Sequence, residues 1–168
     1  MTKPLNVLVL CTGNSARSIL GEALFNHLGR GRVQAFSAGS KPAGQVNPVA
    51  LETLEKHGVP QPTDTRSKSW DEFAAPGAPS IDTIFTVCAS AAGETCPIWP
   101  GHPTTAHWGI ADPAHVEPME ARRAAFEQAY RSLEKRIAAF LALDLELMSA
   151  KDVATAARLI HEAVAEGE

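Results

Sequence analysis

At 168 residues the chain has the length of one domain and enough of it to bury a hydrophobic core without disulfides or a structural metal. Apolar residues make up 45% and charged residues 20%, which excludes wholesale disorder, and a net charge of -4 without blocks of like charge offers nucleic acid or anionic lipid no basic surface. An anionic substrate must therefore be held locally, and any partner is expected to be neither nucleic acid nor membrane.

The first apolar run, Val7 to Leu10, follows only Lys3 and is too short for a signal peptide or a membrane span. Asn6 to Leu10 lacks alternation, as expected of a central parallel strand covered on both faces, and it ends at Cys11-Thr12-Gly13-Asn14. From Ala16 the apolar positions Ile19, Leu20, Ala23, Leu24 and Leu28 recur at helical spacing, with Gly29 placed for a left-handed cap. Val33 to Ala38 reads as a second strand, and a helix runs from an Asn47 cap and Pro48 to a stop at Gly58. Ser69-Trp70-Asp71-Glu72 has the pattern of a capping box opening a short helix that ends near Pro76, before a strand from Ile81 to Val87.

Ala89 to Pro118 is rich in Gly, Pro and small residues, with Thr104 to Trp108 a fourth strand inside a long loop region. Ala125, Phe126, Ala129, Leu133, Ile137, Phe140 and Leu141 mark a long amphipathic helix, and Ser149 with Asp152 caps another. Alternating strands and helices predict an α/β fold, a doubly wound four-stranded parallel sheet with helices on both faces. In such sheets ligands bind beyond the carboxyl ends of the strands, where Cys11 and Cys88 both fall.

Five residues separate Cys11 from Arg17, and the loop joins a buried strand to a helix start. Backbone N–H groups of Thr12, Gly13, Asn14, Ser15, Ala16, Arg17 and Ser18 can converge there with the helix dipole, making an oxyanion site. Arg17 adds a planar fork of donors matched to a tetrahedral oxyanion. The same field favours a nucleophilic thiolate at Cys11. Ser18 can donate to that thiolate, and Asn14 can hold a left-handed backbone position that braces the loop.

The run Cys11-Thr12-Gly13-Asn14-Ser15-Ala16-Arg17-Ser18 resembles the nucleophile loop of low-molecular-weight protein tyrosine phosphatases and their arsenate-reductase relatives. Ser37-Ala38-Gly39, Arg66-Ser67-Lys68, Thr86-Val87-Cys88 and His107-Trp108-Gly109-x-x-Asp112-Pro113 agree with it, so that the resemblance covers about residues 5 to 142. It implies a catalytic domain over residues 1–145, followed by a C-terminal helical extension over 146–168. It also implies Asp112 as the general acid that protonates the departing oxygen. Ala114 follows Pro113 where the phosphatases usually carry an aromatic residue, which disfavours an aryl phosphate.

The thioredoxin-linked reductases of that family use two further thiols, and the resemblance assigns these roles to Cys88 and Cys96. The implied activity is reduction of arsenate to arsenite, with no bound cofactor and an external thiol reductant, thioredoxin or glutathione with glutaredoxin, in the cytoplasm. Seven residues separate Cys88 from Cys96 where that branch is expected to have six, which leaves the donor open. Hydrolysis of phosphate monoesters by the same Cys11, Arg17 and Asp112 is the alternative. A metal site built from Cys88, Cys96, His102 and His107 would leave the Cys11 loop unexplained. Lys68 stands where some reductases place an acidic ligand for a potassium ion; it is read as a solvated surface lysine unless it neutralises Glu22.

Overall fold

The structure, a computed structural model, describes residues 3–62, 65–87 and 104–168. Its elements are β1 (Leu5–Cys11), α1 (Arg17–Gly29), β2 (Val33–Gly39), α2 (Pro48–Lys56), a 3-10 turn (Trp70–Phe73), β3 (Thr83–Thr86) and β4 (Thr104–His107). These are followed by α3 (Met119–Leu141), a second 3-10 turn (Leu145–Leu147) and α4 (Ala150–Gly167). The strands form one parallel sheet in the order β2-β1-β3-β4.

β1 lies at the centre, and its residues alternate between two cores. Val7, Val9 and Cys11 face a large cluster with Leu20 and Leu24 of α1, Leu54 of α2, Phe140 of α3 and Val153 of α4. Leu8 and Leu10 face a smaller cluster with Ile84, Ile81 and Phe73, the last on the first 3-10 turn. Because water is excluded from both faces, period-two polarity is absent from β1, as the unbroken apolar run predicted. Register places Cys11 beside Gly39, Leu10 beside Thr86, and Thr86 beside His107, so the carboxyl ends of all four strands meet at one rim.

Several local expectations are corrected. α1 runs through Gly29, and the left-handed residue is Arg30 with φ 45°. Gly29 is needed for close packing instead, since a Cβ there would stand 3.2 Å from Cβ of Val33. The pattern at Ser69 is not a capping box: the element is a 3-10 turn, Ser69 Oγ accepts from Asp71 N, and both Glu72 oxygens accept from Arg66. The stop at Gly58 holds, for α2 ends at Lys56 with His57 as its cap and Gly58 follows in the left-handed region at φ 68°. Ser149 does cap α4, accepting from Asp152 N at 3.1 Å. No described helix is long and apolar enough to cross a membrane.

Candidate active site

β1 delivers Cys11, buried, to the rim, and the chain then turns through residues 12–16 into α1. The loop's carbonyls are drawn outward. Lys41 N donates to the Thr12 carbonyl, Ala43 N to that of Gly13 and Asn47 N to that of Ser15, each at 2.9 Å. In a planar trans peptide the N–H points opposite to the C=O, so these bonds turn the Gly13, Asn14 and Ala16 N–H groups away from the supporting loop. A concave set of donors in front of an uncapped helix N-terminus, with no acid in its first turn, suits an anion.

Asn14 makes the turn possible. Its φ is 46°, a left-handed conformation in which a short amide is tolerated. Its side chain is bonded at both ends, Oδ1 accepting from Lys68 N and Nδ2 donating to Ser18 Oγ, both at 2.8 Å. With its oxygen already accepting, the Ser18 hydroxyl keeps its own proton to give, as a donor to a thiolate requires. Gly39 closes the base: a Cβ there would lie 2.5 Å from the Thr12 carbonyl oxygen, so only glycine lets β2 pass beneath the loop.

Arg17 begins α1 and reaches across to the loop after β4. Its Nη1 donates to the Ile110 carbonyl at 2.8 Å, and its Nη2 lies 3.6 Å from Asp112 Oδ2. Its Nε is buried without a hydrogen-bond partner among the described residues. Asp112 is 42% exposed, and its Oδ1 accepts from Ala114 N at 2.9 Å, a local turn that points the other oxygen at Arg17. Cys11, the loop that follows it, Arg17 and Asp112 thus meet at one rim.

Cys88 and Cys96 lie outside the described residues, as does His102. What bears on Cys88 is the residue before it: Val87 N donates to the carbonyl of Leu10, the residue before Cys11, at 2.9 Å. Among the described residues no three His, Cys, Asp or Glu side chains converge as metal ligands.

Lys68 is only 5% exposed, so its reading as a solvated surface residue is wrong. It lines a cavity of about 640 Å³ with Glu22, also 5% exposed, and its Nζ donates to the Arg66 carbonyl at 3.2 Å. Glu22 in turn accepts a short hydrogen bond from Ser37 Oγ. Ser67 braces the loop in a way its sequence neighbours do not signal, its hydroxyl donating to the Gly13 carbonyl at 3.0 Å and accepting from Gly44 N at 3.2 Å. The loop's other supports, the amides of Lys41, Ala43 and Asn47, carry no side-chain signature that a sequence could show.

An arsenate reductase of Shouchella clausii is 31% identical over 80% of this chain and 93% of its own length. Among solved structures, the thioredoxin-dependent arsenate reductase of Corynebacterium glutamicum superimposes with a TM-score of 0.55 at 27% identity, covering 82% of this chain and 64% of that one. A tyrosine phosphatase of Erwinia amylovora gives a TM-score of 0.58, also at 27% identity, over 80% of this chain and 87% of that one. Residues 6–153 match the profile for low molecular weight phosphotyrosine protein phosphatase, a span that takes in all four strands and both loops at the rim. With that match over most of its length and the Cys11 loop folded as described, the chain belongs to the low molecular weight phosphotyrosine protein phosphatase family.

Proposed function

We propose that the chain reduces arsenate to arsenite through a covalent adduct on Cys11. The observation that carries this reading is the outward pull on the Thr12, Gly13 and Ser15 carbonyls, which leaves an anion cradle between Cys11 and Arg17. The Cys11 thiolate attacks As(V), and one oxygen departs as water when Asp112 supplies a proton. The adduct's charge is held by the loop N–H groups and the Arg17 fork.

A second thiolate, assigned to Cys88, then attacks the Cys11 sulfur. The sulfur–arsenic bond breaks, its electron pair stays with arsenic, and arsenite leaves as As(III) while a Cys11–Cys88 disulfide forms. Cys96 attacks Cys88, frees Cys11, and passes the oxidising equivalent to an external dithiol. The Val87–Leu10 contact supports this order, because it ties the chain just before Cys88 to the strand that presents Cys11. Thioredoxin, or glutathione with glutaredoxin, would supply the two electrons, which fits work in the reducing cytoplasm.

The test is an arsenate reduction assay with the two donor systems supplied separately. Arsenite formation that requires Cys11 and one of the donors supports the reading. Steady release of phosphate from a monoester with no thiol present, and no arsenite with either donor, would instead make the chain a hydrolase using the same three residues.

A further inference from the structure

The family profile ends at residue 153, but α4 continues to Gly167 and is tied to the molecule by residues beyond that point. Trp108, fully buried, is the first residue of the loop that carries Asp112, and its indole Nε1 donates to the Ala157 carbonyl at 2.8 Å. Further along, Arg158 Nη2 donates to the Thr105 carbonyl on the edge strand β4 at 2.7 Å.

The end of α4 is held by a guanidinium. Arg136 on α3 is 1% exposed, and donates through Nη1 to the Ser132 carbonyl and hydroxyl, through Nη2 to Glu168 Oε1 at 2.9 Å, and through Nε to His161 Nδ1 at 3.0 Å. Ser132 Oγ donates in turn to Glu168 Oε2 at 2.5 Å. Ser132 and Glu168 line a cavity of about 310 Å³ together with Asp112 and Pro113. α4 therefore touches the Asp112 loop at its start, and the residue that follows its end shares a cavity with Asp112.

Arginine has donors only and does not lose its proton in proteins, so a nitrogen that accepts from Arg136 must carry a lone pair. His161 is thus neutral in this arrangement. A proton on Nδ1 would set N–H against N–H and one cation against another.

We propose that α4 positions the Asp112 loop, that Arg136, His161 and Glu168 form the latch holding α4 in place, and that proton uptake by His161 releases it. The inference rests on the reading of Asp112 as the general acid. The groups facing His161 are Arg136 from α3, His107 from β4 with ring centroids 6.3 Å away, Glu162 on α4 and Glu168 just past its end. Burial, with the charges of Arg136 and His107, holds the imidazole below its ordinary value of 6.5, against the two glutamates. A histidine depressed on folding favours the latched form fully above that ordinary value and loses the contribution as pH falls through the folded value.

Two measurements on the full chain test this: the Trp108 indole N–H resonance, followed from about pH 7 to about pH 5, and the single-turnover rate of Cys11 adduct formation. In the wild type the resonance should shift or broaden as pH falls. In His161→Gln, whose amide oxygen can still accept from Arg136, it should hold still and the rate at neutral pH should be kept. His161→Lys, charged throughout, should slow adduct formation by about tenfold or more while phosphate inhibition is unchanged, because it displaces the acid and not the anion site. A Trp108 resonance indifferent to pH in the wild type, or an acid-side rate profile of His161→Gln that matches wild type, overturns the latch. Failure of the underlying reading looks different: Asp112→Asn would form the adduct at the wild-type rate while the Trp108 resonance still followed pH.

Discussion

Arg17 Nη1 donates to the carbonyl oxygen of Ile110 at 2.8 Å, linking the Cys11 loop to the loop that carries Asp112. Because Nη2 also approaches Asp112, one planar group bridges the two loops. Lysine can carry the charge but not the fork. Arg17→Lys is therefore expected to lower kcat/KM for arsenate by about a hundredfold, in line with the about 1.5–3 kcal/mol that a charge-assisted hydrogen bond contributes, while the folded state persists. Steady-state kinetics beside a thermal melt checks both halves.

Asp112→Asn keeps the turn to Ala114 N but offers no proton to a departing oxygen. Adduct formation in a single turnover should slow by about 10²- to 10⁴-fold while phosphate still inhibits at similar concentrations. An unchanged rate would reduce Asp112 to a turn residue.

Gly39→Ala places a Cβ 2.5 Å from the Thr12 carbonyl oxygen, a backbone atom that can move only with its loop. The nucleophile loop must shift, and mutational overpacking of this kind costs about 1–3 kcal/mol. Oxyanion affinity, measured by titrating phosphate calorimetrically, should fall with the stability. Retained affinity would mean that the loop holds its shape independently of β2.

Glu127 joins α2 to α3 by accepting from His57 at 2.8 Å, and the His57 ring stacks on Tyr130 with centroids 4.0 Å apart. Burial works to raise the Glu127 carboxyl, but the hydrogen bonds and charges of His57 and Lys56 outweigh it and hold the group below its ordinary 4.5. A carboxyl depressed on folding contributes stability that is complete above the ordinary value and lost as pH falls through the folded one. Urea midpoints of wild type and Glu127→Gln should therefore differ near neutral pH and converge in acid. Parallel curves down to the lowest pH would remove Glu127 from the linkage.

One arsenate turnover without donor should leave a Cys88–Cys96 disulfide in the wild type and a Cys11–Cys88 disulfide in Cys96→Ser, read by peptide mass spectrometry. Undiminished turnover by Cys88→Ser with every donor would replace the relay by an external thiol acting directly on the Cys11 adduct.

Much of this was legible in the residues alone, because the signals are local. An unbroken apolar strand ending at Cys11, an Arg six positions later and a helical period from Ile19 specify strand, anion loop and helix through backbone geometry that neighbours in sequence largely control. Asn14 could be read as left-handed for the same reason. Other features depended on contacts between distant segments. Lys68 looked like a surface residue because hydrophilic composition says nothing of the cavity it shares with Glu22. Gly29 looked like a cap because its role, making room for Val33, is visible only once β2 returns beside α1. The amides of Lys41, Ala43 and Asn47, which turn the oxyanion loop, are backbone groups identical in every residue but proline, so their placement belongs to the fold. The same holds for Arg136 and His161, 25 positions apart, whose meeting favours the neutral imidazole and could be decided only when α4 packed on α3.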